Sequence, residues 1–223
     1  MSDPALPIKV AVVPVTPFEQ NCSILVCQET GKAAIVDPGG DIDRIVEALE
    51  RLQATPEKIL LTHGHIDHCG GTVELSRRLG IPVEGPQRED AFWIDQLPEQ
   101  GRMFRFPQLE AFTPDRWLED GDTVRFGAQE MSVHFCPGHT PGHVVFFHPG
   151  ARVAFVGDVL FQGSIGRTDF PRGDFNTLVG SITGKLWPLG DDVTFVPGHG
   201  PASTFGDERR NNPFVSDAAL RGR

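Results

Sequence analysis

The sequence contains no tyrosine, although it has 16 phenylalanines and three tryptophans. No step of its chemistry can therefore rest on a phenol. Cysteine is scarce. Cys22, Cys27, Cys69 and Cys136 show no Cys-x-x-Cys spacing and are too few to staple a chain of 223 residues, which predicts reduced thiols in a cytoplasmic protein. No uncharged apolar window reaches membrane-spanning length, and Met1-Ser2-Asp3-Pro4 carries no basic stretch ahead of a hydrophobic run. Neither a membrane partner nor a signal peptide is expected. Basic residues are in deficit, 20 against 30 acidic, for a formal charge of −10. That balance repels a phosphate backbone, and no nucleic-acid partner is expected.

What is present suits a globular enzyme. Hydrophobic residues make up 39% of the chain and aromatics 9%, enough for a sizeable core, and no linker-like composition break divides residues 1–223, so one domain is expected. Strand-length apolar runs recur at Ile8–Val15, Ser23–Cys27, Ala33–Val36, Ile59–Leu61, Thr123–Phe126, Met131–Cys136, Val144–Phe147, Val153–Val156 and Val193–Val196, most bounded by Gly, Pro or Asp. Helical spacing of Ile42, Ile45, Val46, Leu49 and Leu52 behind Asp41 predicts an amphipathic helix with Asp41 as its N-cap. Further helices are predicted over Thr72–Leu79 with a stop at Gly80, over part of Glu89–Gln100, and over about Asn176–Leu186. The chain also echoes itself. Two strand-like runs end in Pro-Gly-His, at His139 and His199, and two others end in aspartate, at Asp37 and Asp158. Two related β-rich halves packed face to face, each lending loops to a shared edge, account for such an echo.

The densest chemical signal is Thr62-His63-Gly64-His65-Ile66-Asp67-His68, which follows one apolar run and precedes a predicted helix. In an extended segment, positions i and i+2 face the same way roughly 6.5 Å apart, so His63 and His65 can pinch one metal ion. If the chain turns there into the helix, Asp67 and His68 would point toward a second centre. The strand-end residues His139, Asp158 and His199 complete seven nitrogen and oxygen donors with no thiolate. Such donors suit zinc, iron or manganese, and a metal-activated water is a hydrolase design.

This set, His63-x-His65-x-Asp67-His68 with His139, Asp158 and His199, resembles that of the metallo-β-lactamase superfamily over nearly the whole chain. The resemblance implies an α/β fold, the αββα sandwich of two mixed β-sheets flanked by helices. It implies two divalent metal ions, zinc foremost, with iron or manganese as alternatives. His63, His65 and His139 would hold one ion and Asp67, His68 and His199 the other, with Asp158 bridging them and Asp67 also orienting the attacking hydroxide. An aspartate at the bridging position is similar to glyoxalase II (hydroxyacylglutathione hydrolase) rather than to the true β-lactamases, where a cysteine or serine is usual. Gly157-Asp158-Val159-Leu160-Phe161, then Gly163, Gly166 and Arg167, extend the likeness and imply a substrate-binding role for Arg167. The segment Arg167–Asp174 and Asn212-Pro213-Phe214 resemble the short, single-domain branch, which lacks the C-terminal helical glutathione-binding domain. Only 24 residues follow His199, and Asp169 stands about where that family would place a pocket tyrosine.

The reaction implied is hydrolysis of a small acyl-thiol, S-lactoylglutathione or a similar thioester, by metal-bound hydroxide. Alternatives are an iron-dependent persulfide dioxygenase, with His63, His139 and Asp158 holding one iron, and a hydrolase of another small ester or lactone. Lactonases that set a tyrosine beside the substrate carbonyl would find none here.

Residues around the set carry readings of their own. Asp37 either hydrogen-bonds the His63 loop from below or caps its own turn. His143 either supports a ligand from behind or packs a loop. His134 reads as a structural strand histidine and His148 as hairpin surface. Cys69 and Cys136 read as packing residues, and Phe104, Phe106, Phe112 and Trp117 as core or pocket wall. No glycine-rich nucleotide loop precedes a helix.

Overall fold

A computed structural model describes residues 6–106 and 109–222. The first sheet has five strands in the order β1 (Ile8–Val15), β2 (Gln20–Cys27), β3 (Lys32–Val36), β4 (Thr55–Leu60) and β5 (Val83–Glu84). The second has six, from β13 (Ser203–Thr204) through β12 (Thr194–Pro197), β9 (Val153–Gly157), β8 (Val144–His148) and β7 (Gln129–Phe135) to β6 (Thr123–Phe126). A two-stranded ribbon, β10 (Leu160–Phe161) with β11 (Ser164–Ile165), follows β9.

Strand alternation builds the layers. On β2, Cys22, Ile24 and Val26 face a helical layer, where they meet Ile42, Ile45 and Leu49 of α1 (Ile42–Leu52) and Leu75 of α3 (Thr72–Leu79). Leu25 and Cys27 face the other sheet, joining Phe126, Phe146 and Phe155. The far face of the second sheet, including Val145, Phe147 and Val156, packs on α6 (Phe175–Ser181), the turns that follow it and α7 (Phe205–Asn211). The result is helices, sheet, sheet, helices. Each phenylalanine sealed between the sheets contributes roughly 1.5–3 kcal/mol of burial.

The strand directions decide where the loops gather. β7 pairs antiparallel with β8, β8 antiparallel with β9, and β9 parallel with β12. β7, β9 and β12 therefore run the same way and end at one edge, as parallel β3 and β4 do in the first sheet. Backbone bonds join the two sheets there: Val144 N–H donates to Thr62 O at 2.8 Å, and Asn21 N–H to Gly198 O at 2.7 Å.

Several expectations need correction. Both Pro-Gly-His turns leave strands of the second sheet, so that echo does not mark one turn per half; the aspartate echo does, with Asp37 after β3 and Asp158 after β9. Asp41 precedes α1 but makes no side-chain cap; it sits at φ 49°, and its carboxylate accepts from Thr16 N–H at 2.8 Å instead. The Glu89–Gln100 region holds a 3₁₀ turn and two helices, α4 (Ala91–Asp95) and α5 (Leu97–Phe104), because Pro98 opens a new helix. The helix expected to reach Leu186 is α-helical only to Ser181 and widens into a π turn over Ile182–Leu186, where the Thr183 hydroxyl donates to the Val179 carbonyl. His148 is buried rather than surface: Ala151 N–H donates to its Nδ1, and its Nε2 meets Gln129 Oε1 at 3.1 Å. α2 (Ile66–Cys69) and α8 (Asp217–Arg221) are short helices that apolar spacing did not reveal. No helix among the described residues is long and apolar enough to cross a membrane.

Candidate metal centre

The loops that leave β4, β7, β9 and β12 bring all seven predicted donors to one edge of the sandwich. His63 and His65 follow β4, and the chain then turns into α2, which carries Asp67 and His68. Ring nitrogens of His63 and His65 lie 3.1 Å apart, and the same His65 Nδ1 is 3.0 Å from His139 Nε2. Around a zinc ion, ligand nitrogens at about 2.0–2.1 Å stand about 3.3–3.4 Å from one another, so these three sit near ligand spacing. On the other side, His199 Nε2 lies 3.1 Å from Asp67 Oδ2, with His68 as their third neighbour. Asp158 reaches both groups: Oδ1 is 3.3 Å from His68 Nε2, and Oδ2 is 3.6 Å from His139 Nε2 and 3.8 Å from His199 Nε2.

Outer contacts fix the imidazoles. The Thr62 hydroxyl donates to Asp37 Oδ2, so it accepts from His63 Nδ1 at 3.1 Å. His68 Nδ1 donates to Asp37 Oδ2 at 2.9 Å, His139 Nδ1 to the Arg167 carbonyl at 2.7 Å, and His199 Nδ1 to the Phe18 carbonyl at 3.1 Å. With Nδ1 protonated in each, the Nε2 lone pair turns inward. Asp37 thus hydrogen-bonds both the His63 loop and His68. It forms a compact trio with His63 and His68, but its oxygens are already taken by Thr62 and His68. His143 stacks on His63 at 4.6 Å and accepts from the Asp158 backbone N–H at 3.1 Å, which places it behind two of the donors.

The donor set fits metal ions by its own polar bookkeeping. His68 Nε2 and Asp158 Oδ1, both facing the cluster, are buried without a hydrogen-bond partner, a costly state for polar atoms unless something coordinates them. The backbone approaches closely to make room: a Cβ on Gly198 would lie 2.1 Å from Asp158 Oδ1 and 2.5 Å from His68 Cε1. Burial, then repulsion among the imidazoles, pushes His63 well below the ordinary histidine value and His65 down to about 3, so both stay neutral and able to ligate. Burial also lowers His139. His68 goes the other way; burial opposes it, but the charges of Asp158 and Asp67 raise it. Asp158 is held far below the carboxylate range, because His68 and its neighbours outweigh the cost of burial.

Arg167 is divided in its contacts. Its carbonyl fixes His139, whereas its guanidinium is exposed, pairs with Asp169 and lies 4.6 Å over the Phe170 ring. Cys69 and Cys136 are fully buried and pushed up, Cys136 to about 12, as packing thiols are. His134 bonds Ser132 on its own strand at 2.9 Å. Phe112 and Trp117 pack on the first core, while Phe104 is half exposed.

Sequence reading missed Asp90. Fully buried, its carboxylate accepts from Gly64 N–H at 2.8 Å, the Thr140 hydroxyl at 2.8 Å and Gly142 N–H at 2.6 Å, tying the His63–His65 loop to the His139 loop. It lies between Glu89 and Ala91 in a helical stretch, with no motif to single it out. Trp93 and Phe170, whose rings stand 4.6 and 4.9 Å from His65, were missed as well.

The sequence model of the metallo-beta-lactamase superfamily matches residues 15–199. Hydroxyacylglutathione hydrolase GloC of Haemophilus influenzae is 45% identical over 210 residues, covering 94% of this chain and 99% of that one. The crystal structure of BLEG-1 B3 metallo-beta-lactamase superimposes with a TM-score of 0.85 at 36% identity, over 93% of this chain and 99% of that one. That of TTHA1623 in a di-iron-bound form gives 0.83 at 33%, over 92% and 100%. With two face-to-face sheets delivering these histidines and aspartates to one edge, and with likeness running over most of its length, the chain belongs to the metallo-beta-lactamase superfamily and is a metallo-hydrolase.

Proposed function

We propose that the chain is a thioester hydrolase of the glyoxalase II type, acting on small acyl-thiols such as S-lactoylglutathione. The observation that carries this reading is the Asp158 carboxylate lying between two groups of donors, His63, His65 and His139 on one side and Asp67, His68 and His199 on the other. The likeness to GloC supports the substrate class. A cytoplasmic setting fits four buried, unpaired thiols.

Two divalent ions in these groups would supply Lewis acidity toward a carbonyl oxygen and a water acidified to a pKa of about 7. The chain's own residues do the rest. Asp67, in contact with His199, is placed to orient the attacking hydroxide. His139 and His199 are kept in position by backbone carbonyls, so they need not reorganise during reaction. Trp93 and Phe170 shield the His65 side from solvent. A thiolate leaves readily, so no protein acid has to protonate the leaving group.

The test is a panel of thioesters with different thiols, run beside a cephalosporin, because one similar structure is a B3 metallo-beta-lactamase. Oxygen uptake with glutathione persulfide is followed in parallel. The reading predicts thioester turnover without oxygen uptake; exclusive β-lactam turnover, or oxygen uptake with one iron per chain, overturns it.

A further inference from the structure

Each group of donors draws on both sheets, and each is closed across the gap by a side chain of its own. His63 and His65 leave β4 of the first sheet and His139 leaves β7 of the second, yet ring nitrogens of His65 and His139 lie 3.0 Å apart. Asp90, at the end of the 3₁₀ turn Arg88–Asp90, ties these two loops together. Its Oδ2 accepts from Gly64 N–H, between His63 and His65, and from the hydroxyl of Thr140, next to His139; its Oδ1 accepts from Gly142 N–H. The contact is close on both sides. Gln87 N–H donates back to the Gly142 carbonyl at 3.0 Å, and a Cβ on Gly142 would lie 2.5 Å from Asp90 N.

The other group is closed from β2. Asn21 Nδ2 donates to the Pro197 carbonyl at 3.0 Å and to the Gly200 carbonyl at 2.9 Å, while its backbone N–H donates to Gly198 O at 2.7 Å. These bonds bracket His199 on both sides, and the same hairpin supplies the Phe18 carbonyl that holds His199 Nδ1. Among the described residues, no hydrogen bond of the Asp90 or Asn21 side chain crosses to the other group. Each residue type suits its task. A carboxylate only accepts, which serves three converging donors, and an amide NH2 has two hydrogens for two carbonyls. An asparagine at position 90 keeps the shape but turns its NH2 toward an N–H donor, leaving a buried group unpaired.

We propose that Asp90 and Asn21 are separate positioning residues, one for each metal ion, so that the two sites form and fail independently. Loss of the Asp90 bonds releases the ion of His63, His65 and His139; loss of the Asn21 bonds releases the ion of Asp67, His68 and His199. The inference rests on the two-ion reading above. Asp37 differs from both, because it reaches His68 directly and His63 through Thr62, and so serves both groups.

Zinc titration of the apoprotein tests this, with chelator competition giving the affinity of each step and nitrogen NMR shifts of the histidine rings showing which imidazoles are bound in it. Asp90→Asn is expected to weaken the step of His63, His65 and His139 roughly ten- to a hundredfold, and the step of His68 and His199 by less than about threefold. Asn21→Ala should reverse the pattern, by roughly three- to tenfold because its backbone bond to Gly198 remains. Thr140→Val, which deletes one of the three bonds to Asp90, should weaken the first step by less, and it carries that arm if Asp90→Asn does not fold. Equal weakening of both steps in either variant, or wild-type affinity at both steps in either, overturns the proposal. A wild type that binds fewer than two zinc ions overturns the two-ion reading itself and the proposal with it, a failure seen in the wild-type titration alone.

Discussion

The Nδ1 of His68 and the Oδ2 of Asp37 lie 2.9 Å apart in a pair buried at the junction of the two sheets. Through this contact the turn after β3 fixes the imidazole carried on α2, while the same carboxylate takes two hydrogen bonds from Thr62, the residue before His63. One side chain thereby orients both ends of the His63–His68 loop. Asp37→Ala is expected to cost about 10–100-fold in metal affinity. Competition titration against a chromophoric chelator measures this, and unchanged affinity at both sites would show that Asp37 serves the turn alone.

Gly198 gives a steric test. An added Cβ would meet Asp158 Oδ1 and His68 Cε1, both far inside contact distance. Gly198→Ala should displace the Asp158 carboxylate by about an ångström and lower activity about 100-fold. Circular dichroism should stay unchanged while metal content falls. Full metal content and activity in this variant would mean that the cradle relaxes at no cost.

Asp90 gives a pH test whose sign follows from its surroundings. Burial raises its carboxyl to about 6, against the pull of three donors, from about 3.9 in an unfolded chain. Between those values the folded protein holds a proton that the unfolded chain has released. The contribution to stability is therefore full below about pH 4 and is lost as pH rises through about 6, a change of about 3 kcal/mol. Asp90→Asn cannot titrate. Urea unfolding should show the wild type gaining on the variant at pH 4.5 relative to pH 7, and a constant difference between them would contradict the assignment.

Much of this was legible in the sequence because it rests on local pattern. The apolar runs of β1 and β6, and the spacing within α1 and α3, set those boundaries as observed. The seven donors stood out because each follows an apolar run that ends at the same edge. What escaped depends on tertiary context. Asp90 is recognisable only once two distant loops converge on it, and His148 reads as surface until Gln129 and Ala151 close around it. In the π turn after α6 the Thr183 hydroxyl bonds back to the Val179 carbonyl, a feature that hydrophobic spacing does not register.

On the proposed mechanism, hydrolysis depends on metal held by the seven converging residues. The most direct measurement is metal per chain determined together with thioester hydrolysis, for the wild type, Asp158→Ala and His139→Ala, before and after chelation. Two ions per wild-type chain are expected, with activity lost on chelation and restored by added metal, and joint loss of metal and activity in both variants. Full activity in the metal-depleted wild type, or in a variant that binds no metal, would contradict it.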